Sequence, residues 1–227
     1  MHCSLYGKLP AKRDFIAIGA PREFLSAWEP WLQGAITASR ATLGDKWQSA
    51  FLTAPIWRFW LGADICGRTV IGAFMSSLDG VGRYFPLTLF ACADDGAAIR
   101  PPEFGSQDEW FDTVETFLMS TLDHDAAFET TTSRLEGLPL PVQEFRETVS
   151  PDNRNGCPHA MPTQDRDFTE VFNSVRTRDH AKIYAGSTFW WTIGGEGIAP
   201  VALFDKGMPD PFRFSAMLSG DFAEAPA

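Results

Sequence analysis

Three strand-forming runs separated by short glycine-bearing turns, at residues 56–61, 69–78 and 85–93, constrain this chain more than any other feature. The first follows Pro55 and is apolar apart from Arg58, as expected of a central strand covered on both faces. The turns at residues 64–67 and 79–82 send each run back beside its predecessor, so the three are expected as antiparallel neighbours. A guanidinium inside such a sheet is costly unless a carboxylate meets it, and Asp14 and Asp79 are the expected partners of Arg58. Arg83 follows Asp79 across Gly80 and Gly82 and is expected in the same structural ion-pair network.

Helices are expected around that sheet. A short strand over residues 3–6 leads into a basic loop, residues 7–14, carrying Lys8, Lys12 and Arg13. After Pro21, Phe24, Trp28, Trp31, Leu32 and Ile36 recur at helical spacing, with Pro30 expected to kink the helix, Leu43-Gly44 to close it and Asp45 to cap a short second helix through Phe51. Ser106-Gln107-Asp108-Glu109 reads as a capping box opening an amphipathic helix. Its inward residues are Trp110, Val114, Phe117, Leu118 and Leu122, and Asp108, Asp112 and Glu115 point outward. Residues 138–163 are rich in proline and polar side chains and read as a long exposed connection. A helix over residues 168–175 and strands over 188–193 and 198–204 follow, the strands joined by Gly194-Gly195-Glu196-Gly197. Asp210 and Pro211 then start a last helix through Leu218. The expected class is α+β, a mixed α/β sandwich whose central, largely antiparallel sheet is flanked by helices. Its expected regions are residues 1–140, an exposed connection over 141–165, and a C-terminal α/β region over 166–227 packed with the first as one globular unit.

With 227 residues, 44% of them hydrophobic, the chain can bury a substantial core, and 19 Phe and 8 Trp favour a densely packed one. Residues 1–100 carry ten Lys/Arg against eight Asp/Glu, whereas residues 101–227 carry nine against twenty-one. That acidic half would repel phosphates, so no nucleic acid is expected as a partner. The cysteines stand at 3, 66, 92 and 157 with no CxxC spacing, which implies buried free thiols and no bound metal. Residues 1–5 lack the features of a secretory signal, and no apolar run approaches the ~18 residues that span a bilayer, so a cytoplasmic protein without membrane insertion is expected.

The sequence holds no familiar catalytic pattern. GxSxG, Walker A and HExxH do not occur, and residues 194–197 read as a hairpin turn rather than a dinucleotide loop. Asp123-His124-Asp125 has no second His/Asp cluster at helical distance and reads as a charged helix end. No nucleophile stands beside a base, so neither an enzyme nor a cofactor is expected. The remaining polar constellation is Lys8, Asp14, Arg58, Asp79 and Arg83. Gathered in an open pocket, its Arg58, Arg83 and Asp79 would suit a hydrolase or a small-anion sensor; buried or flat, it would instead pin the N-terminal loop to the sheet.

Several segments together resemble one family: Gly7-Lys8-Leu9-Pro10 with Asp14-Phe15, Ser39-Arg40, Leu43-Gly44, Ala54-Pro55-Ile56-Trp57-Arg58-Phe59, and Val81-Gly82-Arg83-Tyr84-Phe85-Pro86-Leu87-Thr88. In this order they resemble the TagF family of type VI secretion accessory proteins over roughly the first 140 residues, and more weakly through residues 187–192 and 214–220. The family usually has Gly in place of Arg13 and Pro-Ser in place of Ser76-Ser77. The resemblance implies a cytoplasmic regulator that represses type VI secretion after translation, by contact with the forkhead-associated scaffold protein of the apparatus. Two surfaces are candidates for that contact: Lys8, Leu9, Pro10 and Asp14 with Asp79 and Arg83, or the acidic helix with Asp108, Asp112 and Glu115. Because a forkhead-associated domain reads phosphothreonine, Thr130-Thr131-Thr132 is a further candidate ligand, although the segment reads first as a polar loop.

Overall fold

Strand alternation and sheet pairing set the architecture seen in the computed structural model, which describes residues 1–123, 127–145 and 168–222. Along the chain the elements are β1 (Cys3–Gly7), β2 (Ile16–Ile18), α1 (Arg22–Leu43), α2 (Trp47–Thr53), β3 (Trp57–Leu61), α3 (Ala63–Cys66), β4 (Val70–Met75), β5 (Leu87–Cys92) and β6 (Ala97–Ala98). They continue as α4 (Asp108–Ser120), α5 (Phe128–Glu136), β7 (Glu144–Phe145), α6 (Phe168–Arg178), α7 (His180–Ile183), β8 (Ser187–Thr192), β9 (Val201–Lys206) and α8 (Arg213–Ser219). Seven strands form one sheet in the order β2-β1-β5-β4-β3-β8-β9, every pairing antiparallel, and β6 and β7 form a small second sheet. The class is α+β, with β3, β4 and β5 adjacent as expected.

Each face of the large sheet has its own core. Trp57, Phe59 and Leu61 of β3 join Trp28, Trp31, Leu32, Phe51, Trp190 and Phe214 under α1, α2 and α8. Trp60, one residue out of phase, joins Phe111, Val114 and Phe117 of α4 and Leu135 of α5 on the other side. Buried tryptophans are tolerated because their indole N–H groups find acceptors. Trp31 donates to the carbonyl of Pro209 at 2.8 Å, Trp57 to that of Met217 at 2.9 Å and Trp60 to that of Ile99 at 3.0 Å. Two of these bonds tie the first half of the chain to residues beyond 208, and β8 pairs directly with β3, so the late strands extend the first sheet.

Several local expectations give way to longer-range contacts. α1 runs unbroken through Pro30, and residues 44–46 form a 3-10 turn, so Asp45 caps nothing. The start of α2 is fixed instead by Trp47, which donates to Ser39 Oγ at 2.9 Å and lies 4.2 Å beneath the Arg40 guanidinium. The capping box does not form: Gln107 takes a left-handed conformation with φ 54°, and no side chain caps α4. Its amide instead clasps the backbone of Val142, donating at 2.7 Å and accepting at 2.8 Å, so the segment expected to be an exposed connection begins tied down. Residues 146–165 of that connection lie outside the described residues. Leu122, expected inward, is exposed, and β2 was not foreseen.

Candidate interaction surface

The acid-base constellation divides into two networks. The first is built on Asp79, whose carboxylate has no exposed surface. It accepts from Lys8 Nζ at 3.0 Å, Arg83 Nε at 2.7 Å, and the backbone N–H groups of Arg83 at 2.9 Å and Val81 at 3.1 Å. Burial alone would raise this carboxyl, but the bonds from the Arg83 N–H, Lys8, the Arg83 guanidinium and the Val81 N–H outweigh it and hold Asp79 well below the usual carboxylate range. The turn is closed by Gly82 N–H on the Asp79 carbonyl at 2.9 Å.

This turn is seated on the loop that follows β1. Gly80 N–H donates to the Lys12 carbonyl at 2.8 Å, Ser77 Oγ to the Lys8 carbonyl at 2.8 Å, and the Arg83 guanidinium to the Arg13 carbonyl. The approach is too close for a larger residue at Gly7 and tight at Gly80. A Cβ at Gly7, where φ is +135°, would fall 2.1 Å from the Pro86 carbonyl oxygen, and one at Gly80 would fall 3.0 Å from that of Pro10. Lys8 and Leu9 are buried beneath the seam, with Lys8 Nζ 5.0 Å above the Phe15 ring. What reaches solvent is Arg13, Asp14 and Phe15 from the loop, and Val81 and Arg83 from the turn, with Phe15 braced edge-on against Phe85 at 4.7 Å. The sequence segments at 7–10, 14–15 and 81–88, three of those that carried the family resemblance, therefore meet at one seam, partly buried and partly exposed.

Arg58 belongs to the second network, not to Asp14 or Asp79. Strand alternation points it away from Trp57 and Phe59, toward α4, where its Nε lies 2.5 Å from Glu115 and its other nitrogens 3.4 Å from Asp108 and Asp112. Phe111 lies 4.8 Å below the guanidinium. The three acids expected to face only solvent thus line up over one buried arginine. Glu115 is the most enclosed at 15% side-chain exposure, against 65% for Asp108 and 75% for Asp112. Their spacing of four and three residues was the available signal, since it places them on one helix face. Asp14 is exposed and joins neither arginine.

The Arg58, Arg83 and Asp79 cluster that an anion sensor would need does not assemble, and the Asp79 carboxylate is already saturated with donors. Thr130, Thr131 and Thr132 are in α5 rather than a loop; Thr131 is buried and donates to the Ala127 carbonyl, and Phe128, Thr131 and Leu135 form the helix's inner stripe. Among the described residues no cluster of His, Cys, Asp and Glu could hold a metal, and no helix is long and apolar enough to cross a membrane. Cys157, His124 and Asp125 lie outside the described residues.

The model of the TagF N-terminal domain, described as type VI secretion system-associated, matches residues 4–138. The crystal structure of PA0076 from Pseudomonas aeruginosa PAO1 is similar over 99% of this chain and 97% of that one, with 30% sequence identity and a TM-score of 0.80. No curated protein is matched.

Proposed function

This chain belongs to the TagF family of type VI secretion-associated proteins, and we propose that it represses type VI secretion in the cytoplasm, after translation, by binding the forkhead-associated scaffold protein of the apparatus. The observation that carries this reading is that three of the family's sequence segments, 7–10, 14–15 and 81–88, meet at the seam between the loop after β1 and the Asp79 turn. Lys8 and Asp79 hold that seam from within, and Arg13, Phe15, Val81 and Arg83 are what a partner meets. Such a surface is already ordered before binding, so little conformational entropy is lost on contact, and a charged rim around two exposed apolar side chains suits protein recognition.

The acidic helix supports the reading less well, because Arg58 draws Asp108, Asp112 and Glu115 together. Thr130 to Thr132 are equally poor ligands for a phosphothreonine reader, since presenting them in extended form would unwind α5 and expose Thr131. Repression by occlusion needs no turnover: a folded surface engages the scaffold and withholds it from assembly. Isothermal titration of the purified chain with the purified scaffold protein tests this. Saturable binding without chemical change in either protein is expected, and no heat of binding at micromolar concentrations would count against it.

A further inference from the structure

A second exposed surface lies at the far edge of the sheet. The pairing of Trp191 with Ala202 and of Phe189 with Phe204 puts these four side chains on one face of β8 and β9. Among the described residues α4 packs chiefly on β4 and β5, and only Phe111 of α4, against Trp191, and Tyr184, against Phe189 and Phe204, reach that face, so it is partly covered. A hollow of about 300 Å3 remains, lined by Pro102, Ser106, Asp108, Trp191, Ala202 and Leu203. Phe189 and Trp191 in its wall are braced by rings outside it, Phe189 by Phe204 at 5.0 Å and Trp191 by Phe111 at 5.1 Å. Phe204, beside the hollow, is 50% exposed, so the apolar face continues to solvent along β9.

Two further features narrow what can sit there. β9 ends the sheet, and among the described residues no strand pairs with its outer side, leaving a six-residue edge where the opposite edge, β2, has three. Unpaired strand edges accept an added strand through backbone hydrogen bonds. Beside the hollow, Asp108 and Asp112 are mostly exposed, whereas Glu103, next to the lining residue Pro102, is taken up by Arg176 at 3.4 Å and the Tyr184 hydroxyl at 3.0 Å. Arg58, which partly balances the two aspartates, is buried beneath them, so carboxylate oxygens are what solvent meets. A second copy of this chain would bring its own acidic rim to this one, at a net charge of −10 per chain.

We propose that this face docks an extended, basic segment of a partner protein. Its backbone adds to β9, one large apolar side chain fills the hollow, and flanking Lys or Arg residues meet Asp108 and Asp112. The proposal stands apart from the scaffold contact assigned to the Asp79 seam, and uses none of its residues.

The test is a fluorescence-anisotropy titration of the full chain with a dye-labelled peptide that alternates lysine and valine around one central tryptophan. Saturable binding that weakens with salt is expected, with no binding of the same peptide carrying glutamate for lysine. Ala202→Trp, which fills the hollow, and Phe204→Asp, which charges the apolar face beside it, should each weaken binding at least about tenfold. Thermal melting establishes that each variant is folded, and Val81→Asp, on the other surface, should bind the peptide like the parent. Absence of saturable binding, equal binding of the glutamate peptide, or parental affinity in both folded hollow variants would overturn the proposal. So would a dimer, seen by sedimentation, that Phe204→Asp dissolves, because it would assign the face to a second copy.

Discussion

Lys8 Nζ stands 3.0 Å from Asp79 Oδ2 with both side chains buried, joining the loop after β1 to the turn after β4. Removing one partner of a buried ion pair leaves the other charge without compensation, which costs about 3–5 kcal/mol. Asp79→Ala, which leaves Lys8 unpaired, should lower stability by roughly that amount in denaturant melts; Lys8→Ala, after which Arg83 still holds Asp79, should cost less, and the double variant should cost less than the sum. Additive losses would show that the two residues act independently.

The same carboxylate makes stability depend on acid. Its folded-state ionisation lies below that of an unfolded aspartate, near 3.9, so its contribution is complete above about pH 4 and is lost as pH falls further. Asp79→Asn should therefore flatten the acid limb of a stability-pH curve. An unchanged limb would mean that other carboxyls carry it.

Three acids share Arg58 unequally. Glu115, at 2.5 Å and 15% exposure, should matter most, and Glu115→Ala is expected to cost about 1.5–3 kcal/mol. Asp112→Ala, at 3.4 Å and 75% exposure, should cost less than about 1 kcal/mol. Equal losses in chemical denaturation would show that the stripe acts as one diffuse field rather than through the Glu115 bond.

Burial pushes the thiols of Cys3 and Cys92 up to about 11 and that of Cys66 up to about 12. These folded-state values lie above the unfolded one, so the thiols support the fold below about pH 8.5 and lose that contribution as pH rises through 11 to 12. At pH 8 iodoacetamide should label all three slowly in the native protein and rapidly in denaturant, read by peptide mass spectrometry. Fast native labelling of any of them would contradict the packing described.

How much was legible in the sequence depended on the range of each contact. The strands β3, β4 and β5 were visible because their apolar runs are continuous, and the Asp79–Arg83 pair because it spans one turn. The partner of Arg58 was not, since strand alternation fixes the face it points to but only the full topology says that α4 covers that face. Lys8 and Asp79 were placed in one constellation without the pairing itself being evident. The capping box failed for a related reason: Gln107 gains two hydrogen bonds to Val142, a contact that no local pattern encodes. In α5, the helical spacing of Phe128, Thr131 and Leu135 was present but hidden by the polar composition around it.

On the function proposed above, the seam between the loop after β1 and the Asp79 turn binds the forkhead-associated scaffold protein. Arg13 and Val81 are exposed there, so Arg13→Glu with Val81→Asp should leave the melting temperature almost unchanged. The most direct measurement is the dissociation constant of that double variant for the purified scaffold, taken beside its thermal melt. A loss of affinity of at least about tenfold with an unchanged melt is the predicted result. Parental affinity in the folded double variant would contradict it.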